Sequence, residues 1–510
     1  MKFYRLRIEI ENLRYFPPLF NYPMKRLTIT MSLLLAIGSF SFAQKQDIEK
    51  KFDSKAAIEE FTYLASDELM GRDPARPEMK LAYTFIADLL KKAGATPLPG
   101  ADGFYQNIPF RLSSPPKSGS LKIGDKEFTQ GQNMLVLDGK SFSGTYELVD
   151  VGFGMDEDFA GKDLKGKIAI TNAGAPNKLS PNQLFSEGRT KTLRAKEAGA
   201  VALIERFNVP SVPWQLVSGF LNRPQMSVDQ GSASDLPYVW IEDAKNQMTG
   251  DKLKNAVIAI QGKVNVDIDG KNVLAWIEGT DPVLKNEFIM LSAHYDHVGV
   301  GAPDAKGDSI YNGARDNAVG TVAVINAAKY FVQNPPKRSV IFALWTAEEK
   351  GLLGSGYFAN NPLIPLNQIV YNLNIDNAGY NDTSIITVIG LGRTSADFMI
   401  EEAVAEFGLT AKADPSPEQG LFDRSDNVNF ARKGIPAPSF TLGFTAFDDE
   451  IQQYYHKAAD EVDSFDMDYA KIYWKSYILS AQKVANWNQR PKWAVGDKYE
   501  EVSKELYGDK

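Results

Sequence analysis

The second half of this 510-residue chain alternates short apolar runs with longer helical ones, and this alternation constrains its fold more than any other feature. The short runs are rich in β-branched and aromatic residues, which favours buried strands. The longer run at 317–332 is rich in Val, Ile and Ala, which indicates a helix. Such alternation is typical of an α/β sheet. We predict strands at 272–277, 288–293, 339–345 and 369–375 and helices at 317–332, 395–407 and 467–487.

The first half of the chain has a different sequence pattern. Helices are predicted at 54–64, with Ser54 as its N-cap, and at 77–93, where Gly94 ends the helix. Between 113 and 262, short β-rich runs alternate with Gly, Asp and Lys turns, which predicts a separate, mostly β insert. A chain this long exceeds what one core usually covers. We therefore expect an extension with a signal peptide at 1–43, an α/β domain split into 44–112 and 263–490, the insert at 113–262 and a polar tail at 491–510.

The N-terminal extension contains an export signal in an unusual position. The basic residues Lys25 and Arg26 precede an apolar run at 27–42, and small residues at Ser41 and Ala43 suit cleavage after Ala43. We therefore expect a signal peptide at about 24–43, with Met24 or Met1 as the start, and a periplasmic or extracellular protein. A membrane anchor is the weaker interpretation, because the apolar run is short and broken by Thr, Ser and Gly. After cleavage, no stable membrane insertion is expected.

Composition excludes several kinds of site. The chain has no cysteine, so disulfides, thiolate nucleophiles and Cys-ligated metals are excluded, and a metal site must use His and carboxylate. It has three histidines: His294, His297 and His456. The net charge of −8 and the absence of a long basic run argue against a nucleic-acid partner.

Metal-binding residue types follow the predicted strands. His294, the pair Glu348 and Glu349, and Asp376 each come within a few residues of a strand end, and Asp316 lies at the start of a helix. In α/β sheets, ligands bind beyond the carboxyl ends of the strands. Taken singly, each acid has an ordinary explanation as a turn residue, helix cap or first-turn acid. Together with the distant His456, they predict a centre for two zinc ions.

Neighbouring residues suggest supporting roles. Asp296 can accept the second ring N–H of His294 and fix its orientation. Because Glu348 and Glu349 are adjacent, they should point differently, so that one can bind metal while the other acts as a general base. The chain has no His-Glu-x-x-His or Gly-x-Ser-x-Gly run and no phosphate-binding loop, which removes three competing kinds of active site.

Three longer motifs carry a family resemblance. They are Ala-His-Tyr-Asp-His-Val-Gly at 293–299, Asn-Gly-Ala-Arg-Asp-Asn-Ala-Val-Gly at 312–320 and Ala-Glu-Glu-Lys-Gly-Leu-Leu-Gly-Ser at 347–355. With Asn374-Ile375-Asp376, Arg424-Ser425-Asp426 and His456, they closely resemble the M28 family of zinc aminopeptidases. The resemblance covers most of 54–112 and 263–488. It implies a mixed β-sheet flanked by helices, of the zinc-exopeptidase or phosphorylase/hydrolase-like type, and a protease-associated (PA) domain at 113–262.

The resemblance also implies roles for individual residues. Asp316 would bridge two zinc ions, with His294 and Asp376 completing one and Glu349 and His456 the other. Glu348 would be the general base and Asp296 the residue that orients His294, and the peptide bond between Asp316 and Asn317 would be cis. The implied function is an exported dizinc aminopeptidase that removes N-terminal residues from peptide or protein substrates through metal-activated water.

Some positions leave alternatives open. Many relatives have His where this chain has Asn427, a position that is not a metal ligand in the family. We favour a supporting role for His297 over metal ligation. Arg424 and Tyr455 are candidate substrate contacts, although Arg424 could form an ordinary salt bridge and Tyr455 could be a core residue. A carboxypeptidase, a glutaminyl-cyclase-like enzyme and an inactive peptidase-like binding protein remain alternatives. Oligomeric state is not indicated.

Overall fold

The secondary structure comes from a computed structural model, which describes residues 43–177, 181–209, 212–229, 235–245, 247–248 and 254–509. The predicted signal peptide lies outside the described residues except for Ala43. The chain forms two units, Met1–Lys51, in which residues 43–51 are helical, and Phe52–Lys510. Among the described residues, no helix is both long and apolar enough to cross a membrane.

The elements of the second unit are numbered here along the chain. The strands are β1 (Thr96–Pro97), β2 (Tyr105–Ser114), β3 (Gly119–Ile123), β4 (Lys126–Thr129), β5 (Met134–Asp138), β6 (Phe142–Asp150), β7 (Ile168–Asn172), β8 (Ala202–Phe207), β9 (Gln225–Val228), β10 (Tyr238–Glu242), β11 (Asn255–Ile260), β12 (Val264–Ile277), β13 (Phe288–His294), β14 (Gly299–Val300), β15 (Ile310–Tyr311), β16 (Ser339–Trp345), β17 (Ile369–Ile375), β18 (Ile385–Ile389), β19 (Thr410–Ala413) and β20 (Ser439–Leu442). The helices are α1 (Ser54–Leu64), α2 (Met79–Ala93), α3 (Asp156–Phe159), α4 (Pro181–Glu197), α5 (Trp214–Leu221), α6 (Val319–Gln333), α7 (Leu353–Asn360), α8 (Asp397–Glu406), α9 (Asn427–Ala431), α10 (Asp449–Tyr454), α11 (Met467–Asn486) and α12 (Glu500–Tyr507).

The larger sheet is mixed and has the order β19-β18-β20-β17-β13-β16-β12-β2-β9, with β1 also paired to β12. Its centre is parallel, because β13 runs parallel to both β16 and β17, and β17 runs parallel to β20. Every residue of β13, β16 and β17 is buried, as expected where helices cover both faces of a parallel sheet. The expected mixed α/β fold is therefore confirmed.

A second sheet of eight strands comes from the region predicted to be the insert. Its order is β4-β3-β11-β6-β7-β8-β10-β5, with its own apolar core around Ile168, Ile204 and Val239. The region lies between β2, which ends at Ser114, and β12, which begins at Val264, and these two strands pair antiparallel. Strand β9 lies within the predicted insert yet pairs with β2 in the larger sheet. A separate domain at 113–262 stays a prediction.

Most predicted elements lie within a few residues of the observed ones. The predicted strands 339–345 and 369–375 coincide with β16 and β17, while β12 is longer than predicted because its first half pairs with β2. The cap of α1 differs from the prediction, since the Asp53 side chain accepts hydrogen bonds from the N–H groups of Lys55 and Ala56. Ser54 is instead the first helical residue. The tail is not merely polar, since Trp493 and Tyr499 are buried.

Candidate metal centre

Three parallel strands bring the predicted ligands to one edge of the larger sheet. His294 is the last residue of β13 and lies beside Trp345, the last residue of β16. Asp376 follows the last residue of β17, and Glu348 and Glu349 come shortly after Trp345. Because the three strands run parallel and in register, their carboxyl ends meet at one place.

Asp316 reaches the same place from an irregular turn before α6. Asp316 and Asn317 have non-helical backbone angles, and the peptide bond between them is cis, as the resemblance implied. Gly313 begins this turn with φ of +58°, and a Cβ there would lie 2.6 Å from the His297 ring. Glycine is therefore needed at this position for the turn to pass over the imidazole.

The donor atoms form two groups that share Asp316. His294 Nε2 lies 3.2 Å from Asp316 Oδ1 and 3.1 Å from Asp376 Oδ1. On the other side, His456 Nε2 lies 3.2 Å from both Asp316 Oδ2 and Glu349 Oε1. Each Asp316 oxygen thus faces a different imidazole. The two groups therefore resemble the two halves of a bridged centre.

The third histidine also joins this cluster. His297 Nδ1 lies 2.9 Å from Glu349 Oε1 and 3.9 Å from Asp316 Oδ2. Its imidazole is fully buried, and its ring and that of His456 are 5.5 Å apart. His297, Asp316, Glu349 and His456 form one potential metal-binding group, and His294, Asp316 and Asp376 form the other.

Several donor atoms of the cluster lack hydrogen-bond partners within the described part of the chain. They include Asp316 Oδ1, Glu349 Oε1 and both ring nitrogens of His297, all of them buried. Leaving buried polar atoms unpaired is costly unless another partner is present. A cation held by the carboxylates and imidazoles would satisfy them, so the cluster fits a metal site.

The pKa values of the two adjacent glutamates are shifted in opposite directions. Burial raises the pKa of Glu348 well above its ordinary value. Burial also opposes ionisation of Glu349, but its contacts with His297 and His456 lower its pKa to about 2. For Asp316, burial is likewise outweighed by its contacts with His294 and His456, which hold its pKa well below the usual range. Glu349 and Asp316 therefore suit metal ligation, and Glu348 suits proton transfer.

Asp296 holds the two glutamates rather than the imidazole. Its Oδ1 accepts the backbone N–H of Glu348 at 3.0 Å and its Oδ2 that of Glu349 at 3.3 Å. Its carboxylate is 3.8 Å from His294 Nδ1, whereas its backbone carbonyl is 3.2 Å from that nitrogen. The expected carboxylate–imidazole hydrogen bond is thus replaced by a carbonyl contact. Burial raises the pKa of Asp296 to about 7.

A residue that sequence reasoning missed ties the two sides of the cluster together. The buried Asp460 accepts the backbone N–H groups of Arg315 at 3.0 Å and of Asp316 at 3.2 Å. It also accepts the Arg315 guanidinium, which stacks on the Tyr454 ring at 3.6 Å. Asp460 follows His456 by four residues, so it joins the His456 loop to the Asp316 turn. No periodicity or motif used above pointed to it.

A pocket opens beside the cluster. Arg424 and Tyr455 both line it, with an Arg424 Nη2 to Tyr455 hydroxyl distance of 3.5 Å, and the Tyr455 ring stacks on His456 at 4.1 Å. Both predicted substrate contacts therefore reach the candidate site. The remaining lining residues are Asp316, Glu348, Glu349, Asp376, Ala378, Ile389, Leu421, Ser425, Ser439, Thr441, Phe444, Phe447 and His456.

Fold and cluster together define an α/β protein with a candidate two-ion centre at the carboxyl ends of its strands. Residues 272–476 match the model of peptidase family M28. The chain is 28% identical over 341 residues to a probable leucine aminopeptidase 2 of Aspergillus oryzae, covering 64% of this chain and 60% of the relative. It is 25% identical over 325 residues to aminopeptidase YwaD of Bacillus subtilis, covering 62% of each.

The similarity to these relatives is partial, and the chain spans about three fifths of their length. Among solved structures, an aminopeptidase from Aneurinibacillus sp. strain AM-1 is similar, with a TM-score of 0.52 and 20% identity. That similarity covers 88% of this chain and 97% of the other. At this identity it supports the fold alone.

Proposed function

We propose that this protein is an exported aminopeptidase that binds two zinc ions and hydrolyses N-terminal residues from peptides, with Glu348 as general base. The observation that carries the proposal is the pair of donor groups that share the buried Asp316. The M28 domain and the aminopeptidase names of the relatives support the reaction class.

The donor chemistry favours zinc. One ion would be held by His294, Asp316 and Asp376, and the other by Asp316, Glu349 and His456. Imidazole and carboxylate donors with no thiolate suit Zn²⁺, and three protein ligands per ion leave a position for substrate or water. Asp316 would help to hold both ions, because each of its oxygens faces a different imidazole.

His297 keeps the supporting role that we favour from the sequence. Its Nδ1 is 1 Å closer to Glu349 Oε1 than to Asp316 Oδ2, by the distances of 2.9 and 3.9 Å. His456 Nε2 is instead equidistant from the two carboxylates, as expected of a ligand that shares an ion with both. We therefore assign His297 a supporting role beside the Glu349 carboxylate.

Zinc, when bound, would supply Lewis-acid activation of water and of the scissile carbonyl. Glu348 would take a proton as water attacks and would pass it to the leaving amine. Burial raises the pKa of Glu348, and this higher proton affinity favours its accepting a proton. Asp296 would hold Glu348 and Glu349 through their backbone N–H groups. Arg424 and Tyr455 would contact the substrate from the pocket wall.

The reaction class can be tested with a panel of peptides. Free-amine aminoacyl substrates, N-blocked peptides and peptides with N-terminal Gln are each tested with and without a chelator. Cleavage of the free-amine substrates alone, lost on chelation and restored by Zn²⁺, is the expected result. Release of C-terminal residues from blocked peptides would instead show a carboxypeptidase, and pyroglutamate formation a cyclase. Absence of both turnover and bound metal would leave an inactive binding protein.

The role of Glu348 has a sharper test. Glu348→Gln keeps the side-chain volume but removes the proton acceptor, so turnover should be lost while zinc stays near two ions per chain, as measured by elemental analysis. Glu127→Gln, which changes an exposed glutamate of β4 paired with Lys122, is the matched control and should keep full activity. An active Glu348→Gln variant would contradict the assigned role.

We also propose export through the leader at 24–43 and a PA-type domain at 113–262. The basic, apolar and small-residue pattern supports the first. The separate sheet and core of the insert support the second. N-terminal sequencing of the protein secreted by its own host tests the leader, with Gln44 as the expected first residue.

A further inference from the structure

Arg72 is a fully buried cation whose hydrogen bonds all go to backbone carbonyl groups. Its Nε donates to Tyr295 O at 2.7 Å, and its Nη1 to Leu64 O and Asn312 O, both at 2.5 Å. Its Nη2 donates to Gly313 O at 3.0 Å. Within the described residues, no carboxylate forms an ion pair with it. A buried guanidinium without a paired carboxylate is unusual.

Three of the four carbonyl acceptors belong to the two segments that present the proposed metal ligands, and the fourth, Leu64 O, is at the end of α1. Tyr295 lies between His294 and Asp296, while Asn312 and Gly313 begin the turn that ends in Asp316. The backbone carbonyl of Arg72 completes the connection by accepting the N–H of His297 at 3.2 Å. One side chain therefore links the end of β13 to the Asp316 turn.

The backbone around Arg72 is held in an unusual conformation. Met70, Gly71 and Arg72 all have positive φ, at 47°, 67° and 50°. A Cβ at Gly71 would lie 2.5 Å from Gly299 O and 2.6 Å from Tyr311 O, so the segment passes closely beneath the β14–β15 hairpin. Positive φ costs energy at non-glycine residues, and such conformations persist where the surroundings enforce them. The constrained backbone of residues 70–72 thus fixes the position of the Arg72 guanidinium.

The surroundings of Arg72 are acidic. Burial lowers the pKa of its guanidinium to about 10, and the charges of Asp316 and Asp296 oppose that effect. The cation therefore persists at neutral pH and lies within the field of the carboxylate cluster. Only arginine offers a planar fork of five N–H donors that can reach four carbonyl oxygens at once.

We propose that Arg72 is a positioning residue that sets the relative placement of His294 and Asp316, and thereby the metal affinity of the group formed by His294, Asp316 and Asp376. This inference rests on the proposed metal-dependent function. Groups that orient metal ligands typically change metal affinity or activity by about 10- to 100-fold when they are mutated. Lysine keeps the charge but provides a point donor, so Arg72→Lys tests the fork itself.

Arg338 offers a matched control. Its side chain is equally buried, and its guanidinium donates to Val484 O, Trp487 O and Gln489 O. Its Nε also donates to Glu287. None of these partners belongs to the candidate metal centre. Arg338→Lys should therefore lower the unfolding midpoint without changing metal affinity.

The experiment measures Zn²⁺ affinity by chelator competition and the visible spectrum of the Co²⁺-substituted protein. Wild type and both variants are compared as full chains, each at a fixed interval below its own unfolding midpoint. Arg72→Lys is expected to weaken one of two Zn²⁺ sites by about 10- to 100-fold and to change the Co²⁺ spectrum. If Arg72→Lys does not fold, Gly71→Ala displaces the guanidinium without removing it and is expected to weaken the same site.

The outcomes separate the two proposals. Unchanged metal affinity and Co²⁺ spectrum in Arg72→Lys would overturn the positioning role while leaving the zinc aminopeptidase proposal intact. Equal loss of metal affinity in Arg338→Lys would also overturn it, because the effect would then reflect general stability. A wild-type chain that binds no metal would overturn both.

Discussion

Replacing Asp296 with Asn tests how Glu348, the proposed general base, is held. Each oxygen of this buried carboxylate accepts one backbone N–H, from Glu348 at 3.0 Å and from Glu349 at 3.3 Å. An amide has one acceptor oxygen, so one of the two N–H groups would face an NH₂ group instead. Asp296→Asn therefore removes one hydrogen bond and places the Asn NH₂ group against a backbone N–H group, where no water can accept from either donor.

The magnitude follows from the cost of an unpaired buried donor, which is about 1–3 kcal/mol. We expect the free energy of unfolding to fall by about that amount. If the same energy is lost from the placement of Glu348 during reaction, kcat should fall by about 5- to 150-fold, since about 1.4 kcal/mol corresponds to a factor of ten. The assays are urea denaturation and steady-state kinetics on a free-amine aminoacyl substrate.

Asp243 provides a control with the same local chemistry. It is buried, and its two oxygens accept the N–H groups of Gln247 at 2.8 Å and Met248 at 3.1 Å, after β10 of the other sheet. Asp243→Asn should cost similar stability but leave kcat unchanged. The reasoning is refuted if Asp296→Asn turns over like wild type, or if Asp243→Asn loses the same factor in kcat.

Two further predictions concern a buried ion pair and a partly buried carboxyl group, none of them proposed metal ligands. Lys191→Met should lower the free energy of unfolding by about 3–5 kcal/mol, because it leaves Glu205, 2.6 Å from the Lys191 ammonium, buried without its cation. Lys122→Met, in an exposed ion pair, is the control and should lower the free energy of unfolding by roughly 0–1 kcal/mol. An equally small loss for Lys191→Met, measured by urea denaturation, would contradict the prediction. Burial raises the pKa of Glu461 from its ordinary value of 4.5 to about 7. The protonated side chain therefore contributes its full stability below pH 4.5, and this contribution is lost as the pH rises through 7. Glu461→Gln should therefore raise the thermal midpoint at about pH 8 but not at about pH 4, and equal shifts at both would show that titration is not involved.

The strands and the ligand residue types could be predicted because both depend on local sequence. The runs ending at His294, Trp345 and Ile375 are apolar enough to be buried on both faces, and each is followed within a few residues by His, Glu or Asp. Parallel strands end at one edge, so residues after different strands converge without any knowledge of their contacts. The structure brings all five predicted ligands together at that edge.

Other features depended on contacts between distant segments. Arg72 contacts carbonyl groups more than 220 positions away in the sequence. The residue types at Gly71 and Arg72 are equally compatible with an exposed turn, so the sequence did not indicate these contacts. Strand β9 joins the larger sheet from within a β-rich region, although its own pattern resembles that of its neighbours. Such pairings are decided by the shape of the folded chain and not by local propensity.

The sequence by itself determined the α/β class and the set of residues able to bind a cation, because hydrophobic periodicity and side-chain chemistry are local properties. Only the tertiary structure decided that Asp316 turns one oxygen to each imidazole, that Asp296 holds the backbone of Glu348 and Glu349, and that a buried arginine joins two ligand segments. Hydrogen bonds depend on distance and direction at the scale of tenths of an ångström. That precision arises only when segments far apart in the chain are packed together.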